Sequence, residues 1–339
     1  MPILDRNKPL VVDGDPRYAF ATGVVRGKWV KRMDRTALNR LIEAKPSELG
    51  KLLSEQGYAG AEKDAEKALL DSWLDTLKLV DSLSQNPEIT SLLRLFNDFT
   101  NGATAVKAEF FKLDYEPLHL PGGTAKPEEL KRVAAGETHI DTVPKEVRQA
   151  MSVATSLYQS SKSPLSIDIA IDSYFATIFV DRLLESNREF LREFARRWAD
   201  TKNIAAYLRL RLAKMPIEYF NRFFIDGGHI WSSEFKRFED IELDGLPARM
   251  TYSVYGKPLA DSVSALIKDE TFQPLANFCD NMLENFLRQN VYISFGLEVL
   301  LAYGFLKWSE LRAIGAIIRM KMARIDEEKI TERVRYGDI

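Results

Sequence analysis

Apolar residues recur at helical spacing along most of the chain. Between Tyr18 and Tyr58, Leu38, Leu41 and Ile42 share one face, and Pro46, Gly50 and Gly57 mark breaks. Leu69, Leu70, Trp73, Leu77 and Val80 make a stripe within residues 61–84. Residues 87–96 lead into a further helix, and residues 166–186 and 187–198 run into another. In that last helix Ile204, Leu208, Leu212 and Met215 fall at i, i+4, i+8 and i+11. Residues 259–306 return to the same period. Two connectors interrupt it. Residues 112–146 carry Pro117, Pro121, Pro127 and Pro144 around a double glycine, and residues 239–258 leave room for a short strand pair. Sustained alternation of apolar and polar positions is absent outside the connectors, so the pattern predicts an all-α protein.

The same stretch is written more than once. DFTNGATAVKAEFFKLDYEPLHLPGG (98–123) matches DTKNIAAYLRLRLAKMPIEYFNRFFIDGG (200–228) at Asp98/Asp200, Asn101/Asn203 and the glycine pairs Gly122–Gly123 and Gly227–Gly228. Both continue after the glycines to Glu, an apolar residue, Lys and Arg. The offset is 102 at the acid and 105 from the glycines onward, so one small insertion separates two copies of a long module. A fainter third copy opens at Glu310-Leu311-Arg312-Ala313 and closes at Gly337-Asp338. Asp98 and Asp200 read as N-caps of the repeated helix, and the glycine pair as the positive-φ residues that end it. The repeat divides the chain into an extension (1–16) and three helical subdomains at 17–146, 147–258 and 259–339. The last of these is placed to pack with the N-terminal helices.

Composition adds little: 45% apolar and 28% charged residues are ordinary for a globular protein. A net charge of −2 gives no bias toward nucleic acid. Cys279 is the single cysteine and falls in an apolar helical pattern, which excludes an internal disulfide and a Cys-based zinc site. The first residues lack the charged and apolar regions of a signal peptide. Val291–Leu306 is too short to span a membrane and carries Glu298 in its middle.

No catalytic constellation emerges from the residues. Gly23-Val-Val-Arg-Gly27-Lys28-Trp29 is one residue too short for a phosphate loop and has Trp where Ser or Thr would hold magnesium. His119 and His139 fall in the first connector and His229 directly follows the second glycine pair, all without metal-ligand spacing. Asp168 and Asp172, four apart on a helix, could pair as carboxylates in a metal-dependent all-α enzyme, but no second acidic cluster accompanies them. A solvated helix face accounts for them more simply. Arg209, Arg211, Lys214, Arg312, Arg319 and Lys321 lie on corresponding helices; modules circling an axis would gather them into a basic partner interface.

Three stretches carry a family resemblance. TALNRLIEAKPSELGKLLSEQGY (36–58), SIDIAIDSYFATIFVDRLLES (166–186, with Asp172, Tyr174 and Phe175) and FGLEVLLAYGFLKWSELRAIGAIIRMKMARIDEEKI (295–330) resemble the C subunit of the V-type (archaeal and bacterial A-type) ATPase or ATP synthase. In the last stretch Gly296, Glu298, Tyr303, Glu310, Leu311, Glu327, Glu328 and Ile330 fill the family's positions. Leu297 stands where proline is frequent. The eukaryotic counterpart is the d subunit of the vacuolar enzyme. The resemblance implies a funnel of three similar helical subdomains around a pseudo-threefold axis. It implies a non-catalytic rotor component without cofactor or small-molecule substrate, at the cytoplasmic face of the membrane. Its partners would be the D and F subunits of the central stalk and the proteolipid ring. A free-standing all-α scaffold is the alternative from the residues alone.

Overall fold

The computed structural model describes residues 14–137, 139–214 and 217–334, and all regular structure among them is helical. Most of the expected extension, Met215 and the pair Gly337-Asp338 lie outside the described residues. The first part of the chain forms α1 (Ala19–Trp29), α2 (Arg35–Glu43), α3 (Leu49–Glu55), α4 (Ala65–Leu83), α5 (Pro87–Thr90) and α6 (Leu92–Phe111). There follow α7 (Pro127–Ala134), α8 (Lys145–Ser161), α9 (Leu165–Glu185), α10 (Glu189–Leu212), α11 (Ile217–Phe223) and α12 (Ser232–Glu239). The last are α13 (Leu246–Met250), α14 (Gly256–Asp269), α15 (Gln273–Arg288), α16 (Leu297–Met322) and α17 (Glu327–Arg333).

Both connectors hold helix. Pro127 opens α7 at its first turn, where the missing N–H costs nothing, and Leu130 on that helix is fully buried. In residues 239–258 the expected strand pair is replaced by α13 and the start of α14, because Leu246 and Met250, four apart, are both needed on one buried side.

Asp98 and Asp200 are not N-caps: they lie in the middle of α6 and α10, wholly buried. The genuine caps in this chain are such residues as Asp34 and Asp64, whose carboxylates accept from the N–H of Ala37 at 2.7 Å and Lys67 at 2.9 Å. Nor do the glycine pairs end helices. α6 stops at Lys112, itself left-handed (φ 55°), and Gly122 (φ 102°) and Gly227 (φ 93°) turn the chain into α7 and α12 instead.

What the repeat encodes is a clamp between a long helix and the loop before a short one. Asp98 accepts from the N–H groups of Thr124 (2.7 Å) and Ala125 (2.9 Å); Asp200 accepts from those of His229 (2.9 Å) and Ile230 (3.1 Å). One turn on, the Asn101 amide closes a two-way pair with the backbone of Leu120, both bonds at 2.8 Å. Asn203 does the same with Ile225, at 2.8 and 2.9 Å. Such buried carboxylates and amides are tolerated because backbone groups satisfy them. The second glycine of each pair lies against the acid: a Cβ at Gly123 would collide with Asp98 Oδ1, and one at Gly228 with Asp200 Oδ1.

In the third copy the buried acid closes on an early part of the chain. Glu310, buried in α16, accepts from the N–H of Met33 at 3.2 Å, so its short helix is α2 near the start of the chain. Met33 corresponds to Ala125 and Ile230, and Leu38, five residues on, to buried Leu130 and Phe235. Tyr58 and Tyr255 stand 25 residues after Met33 and Ile230, and donate their hydroxyls to Glu310 (2.8 Å) and Asp200 (2.5 Å). Ala150 holds that place in the first copy, where the Thr124 hydroxyl serves Asp98 at 2.8 Å.

The buried apolar side chains fall into two clusters. The larger joins α1 to α10 with α16 and α17; the smaller runs from Ile204 in α10 through Phe235, Leu246 and Leu259 to Cys279. α16 packs on α1, α2, α4, α15 and α17, which brings early and late parts of the chain together.

Candidate functional site

α6, α10 and α16 bring like faces to one place. Two residues before each buried acid stands an aromatic: Phe96, Trp198 and Trp308. Phe96 meets Trp308 at 5.6 Å between ring centroids, and Phe175 of α9 bridges Phe96 (5.6 Å) and Trp198 (6.2 Å). Trp73 backs Trp308 from α4 at 4.9 Å. These rings form an aromatic floor, with Phe96 still 40% exposed on its open side.

One turn further on, two residues after the acid, the same faces carry Thr100, Lys202 and Arg312. Lys202 and Arg312 are exposed, yet burial pushes the Lys202 ammonium below its ordinary range; Asp280 and Asp172 oppose the shift and Arg312 adds to it. Asp172 fits the same description: it is exposed, while burial and then Asp168 push its carboxyl up. Arg312 reaches Asp280 of α15 at 3.5 Å, and Lys107 pairs with Asp168 at 2.5 Å. Charges from α6, α9, α10, α15 and α16 thus gather beside the aromatic floor.

Nine residues after the acid, the register gives Lys107, Arg209 and Arg319, cationic in all three copies. Of the six basic residues expected at an interface, Arg209, Lys214, Arg312 and Arg319 are exposed, with the Arg209 guanidinium 5.2 Å from the centre of the Phe272 ring. Arg211 and Lys321 are turned to internal carbonyls. Arg211 donates to Phe238 O (2.7 Å), Ile241 O (2.6 Å) and the Tyr207 hydroxyl (2.7 Å); Lys321, in the same register, donates to Ile42 O (2.5 Å). They hold the far ends of α12 and α2, where free carbonyls and the helix dipole favour a cation.

The remaining chemical candidates are structural in placement. His229 Nε2 lies 2.9 Å from Glu193, and His119 packs edge-on to Tyr115 at 5.8 Å. Gly23–Trp29 is part of helix α1. Among the described residues no group of three or more His, Cys, Asp or Glu could hold a metal ion, and no helix is long and apolar enough to cross a membrane. Sequence reasoning missed the floor: Phe96, Trp198 and Trp308 keep a fixed distance from each acid, a signal visible only when the repeat is read upstream.

A family model described as ATP synthase (C/AC39) subunit matches residues 21–333. The chain is also 27% identical over 164 residues to the C subunit of the A-type ATP synthase of Thermococcus gammatolerans, covering 46% of this chain and 43% of that protein, so the alignment spans under half the relative's length. With nearly the whole length matched by the family model, and an all-helical architecture throughout the described residues, the chain belongs to the ATP synthase (C/AC39) subunit family.

Proposed function

We propose that the protein is a non-catalytic rotor component of a V/A-type rotary ATPase. It is a socket at the cytoplasmic face that receives the foot of the central stalk, formed by the D and F subunits, and rests on the proteolipid ring. It passes torque between ATP chemistry and ion movement. The observation that carries this reading is the meeting of the same faces of α6, α10 and α16 at an aromatic floor with charges gathered beside it, and we read the space over that floor as a recess for the stalk. Like faces meeting at one centre are what a funnel of three related subdomains (17–146, 147–258 and 259–339) around a pseudo-threefold axis requires. The third would borrow α2 through Glu310.

A part that turns under load must resist shear. Close-packed helices do so, and the three buried acids fasten each long helix to its short one with bonds that are costly to break. Arg209, Lys214, Arg312 and Arg319 remain on the surface as grips for partners. Affinity purification of the tagged protein from detergent-solubilised membranes tests the proposal. It should recover the D and F subunits and the proteolipid; recovery of neither overturns it.

A further inference from the structure

Lys202 occupies a place with an unmet requirement. It projects from the middle of α10, two residues past the clamping acid, into the recess beside Trp198, whose ring centre is 5.0 Å from its ammonium. Its cationic counterpart Arg312 has its own carboxylate, Asp280 at 3.5 Å, and nearby Lys107 has Asp168 at 2.5 Å. Lys202 makes no ion pair with any described residue; Asp280 and Asp172 act on it only from a distance. An ordinary solvated lysine would hold its full hydration shell, and its charge would not be disfavoured. Here the surrounding protein has stripped part of that shell, and no counter-ion has replaced it. The aromatic face returns some of the loss, and a carboxylate would return far more.

We propose that Lys202 is the docking point for an acidic side chain on the protein segment that enters this recess, closing a charge-assisted hydrogen bond above the aromatic floor. The inference rests on the reading that the recess receives a partner protein, and it adds the chemistry at the contact. Three features favour a protein carboxylate. Helices α9, α10 and α16 meet there, the base is aromatic, and Arg312 already engages Asp280, so the Lys202 charge has no bonded carboxylate of its own. Across from it Asp172 has the opposite sign, Asp168 being paired with Lys107, so the contact also fixes which way round the segment sits.

Amine acetylation read by mass spectrometry tests this without knowing the partner residue. In the isolated full-length chain at near-neutral pH, Lys202 should react faster than Lys78, because more of its amine is unprotonated. In the intact membrane-derived complex its labelling should slow by about tenfold or more, since a bonded, covered ammonium is a poor nucleophile. Undiminished labelling in a complex that contains the chain overturns the docking role and leaves the socket reading standing; failure of the chain to appear in any complex removes both. Lys202→Glu should weaken capture of the stalk proteins about tenfold, whereas Lys202→Arg should keep it. Wild-type capture by a Lys202→Glu variant with unchanged melting temperature would also overturn the proposal.

Discussion

Glu310 and Met33 lie 277 positions apart in the chain and are joined by a hydrogen bond of 3.2 Å between a buried carboxylate and a backbone N–H. The same carboxylate oxygen takes the Tyr58 hydroxyl at 2.8 Å, and Lys307 stands 3.3 Å from its other oxygen. Glu310→Ala should therefore remove this acceptor from a buried amide and a buried hydroxyl and take the carboxylate from Lys307, costing about 3–5 kcal/mol. Tyr58→Phe removes one donor and should cost about 1 kcal/mol. Chemical denaturation of the two variants checks the order. Equal losses would mean that the clamp works through packing rather than through the carboxylate.

Asp200 gives the second copy a pH signature. Burial raises its carboxyl to about 6 from a reference of 3.8, against the pull of Tyr255 and the N–H groups of Ile230 and His229. The folded state therefore holds a proton that the unfolded state has lost between about pH 4 and pH 6, and stability falls as pH rises through that window. Above it, the ionised group costs about 3 kcal/mol. Asp200→Asn carries no such proton. Its stability relative to wild type should improve by about that amount between pH 4 and pH 7, measured by denaturation at each pH.

The glycines separate steric need from habit. Gly228→Ala drives a methyl into Asp200 Oδ1 and Gly123→Ala drives one into Asp98 Oδ1. Each should lower stability by about 2–3 kcal/mol, because overpacking forces the clamp open. Gly23, on the open face of α1, has nothing within 4 Å of a new Cβ. Gly23→Ala should stabilise by up to about 1 kcal/mol through helix propensity alone. Melting temperatures of the three variants give the comparison.

Arg188 fastens two distant segments. Its guanidinium reaches Glu298 at 3.1 Å and Asp15 at 2.9 Å, and Glu298 is almost wholly buried at the start of α16. Arg188→Met leaves that carboxylate without its counter-ion and should cost about 3–5 kcal/mol. The double change Arg188→Met with Glu298→Gln should recover part of the loss. A double-mutant cycle in denaturant measures the coupling.

The helical class and the two-copy register were legible because apolar stripes and glycine pairs are local signals. The role of Asp98 and Asp200 was not. An acid at the head of an apolar stripe looks the same whether the helix starts there or began two turns earlier, and only Leu92–Phe96 and Glu189–Arg197 decide it. The closure of the third copy was hidden for another reason. Met33 lacks a glycine pair before it, and its acid lies at the far end of the chain. Arg211 and Lys321 were rightly placed on matching helices, but whether a cation faces a carbonyl or solvent depends on the element packed against it.

The clamp made by Glu310 also sets an order of events. During synthesis α6 can capture its loop within 27 residues and α10 within 30, while the ribosome is still adding chain. The segment around Met33 must wait until α16 emerges, holding buried-type side chains such as Leu38 and Leu41 open to the cell meanwhile. Its early helices are thus the natural client of a chaperone, and α16, made far later in the chain, is the helix that releases them.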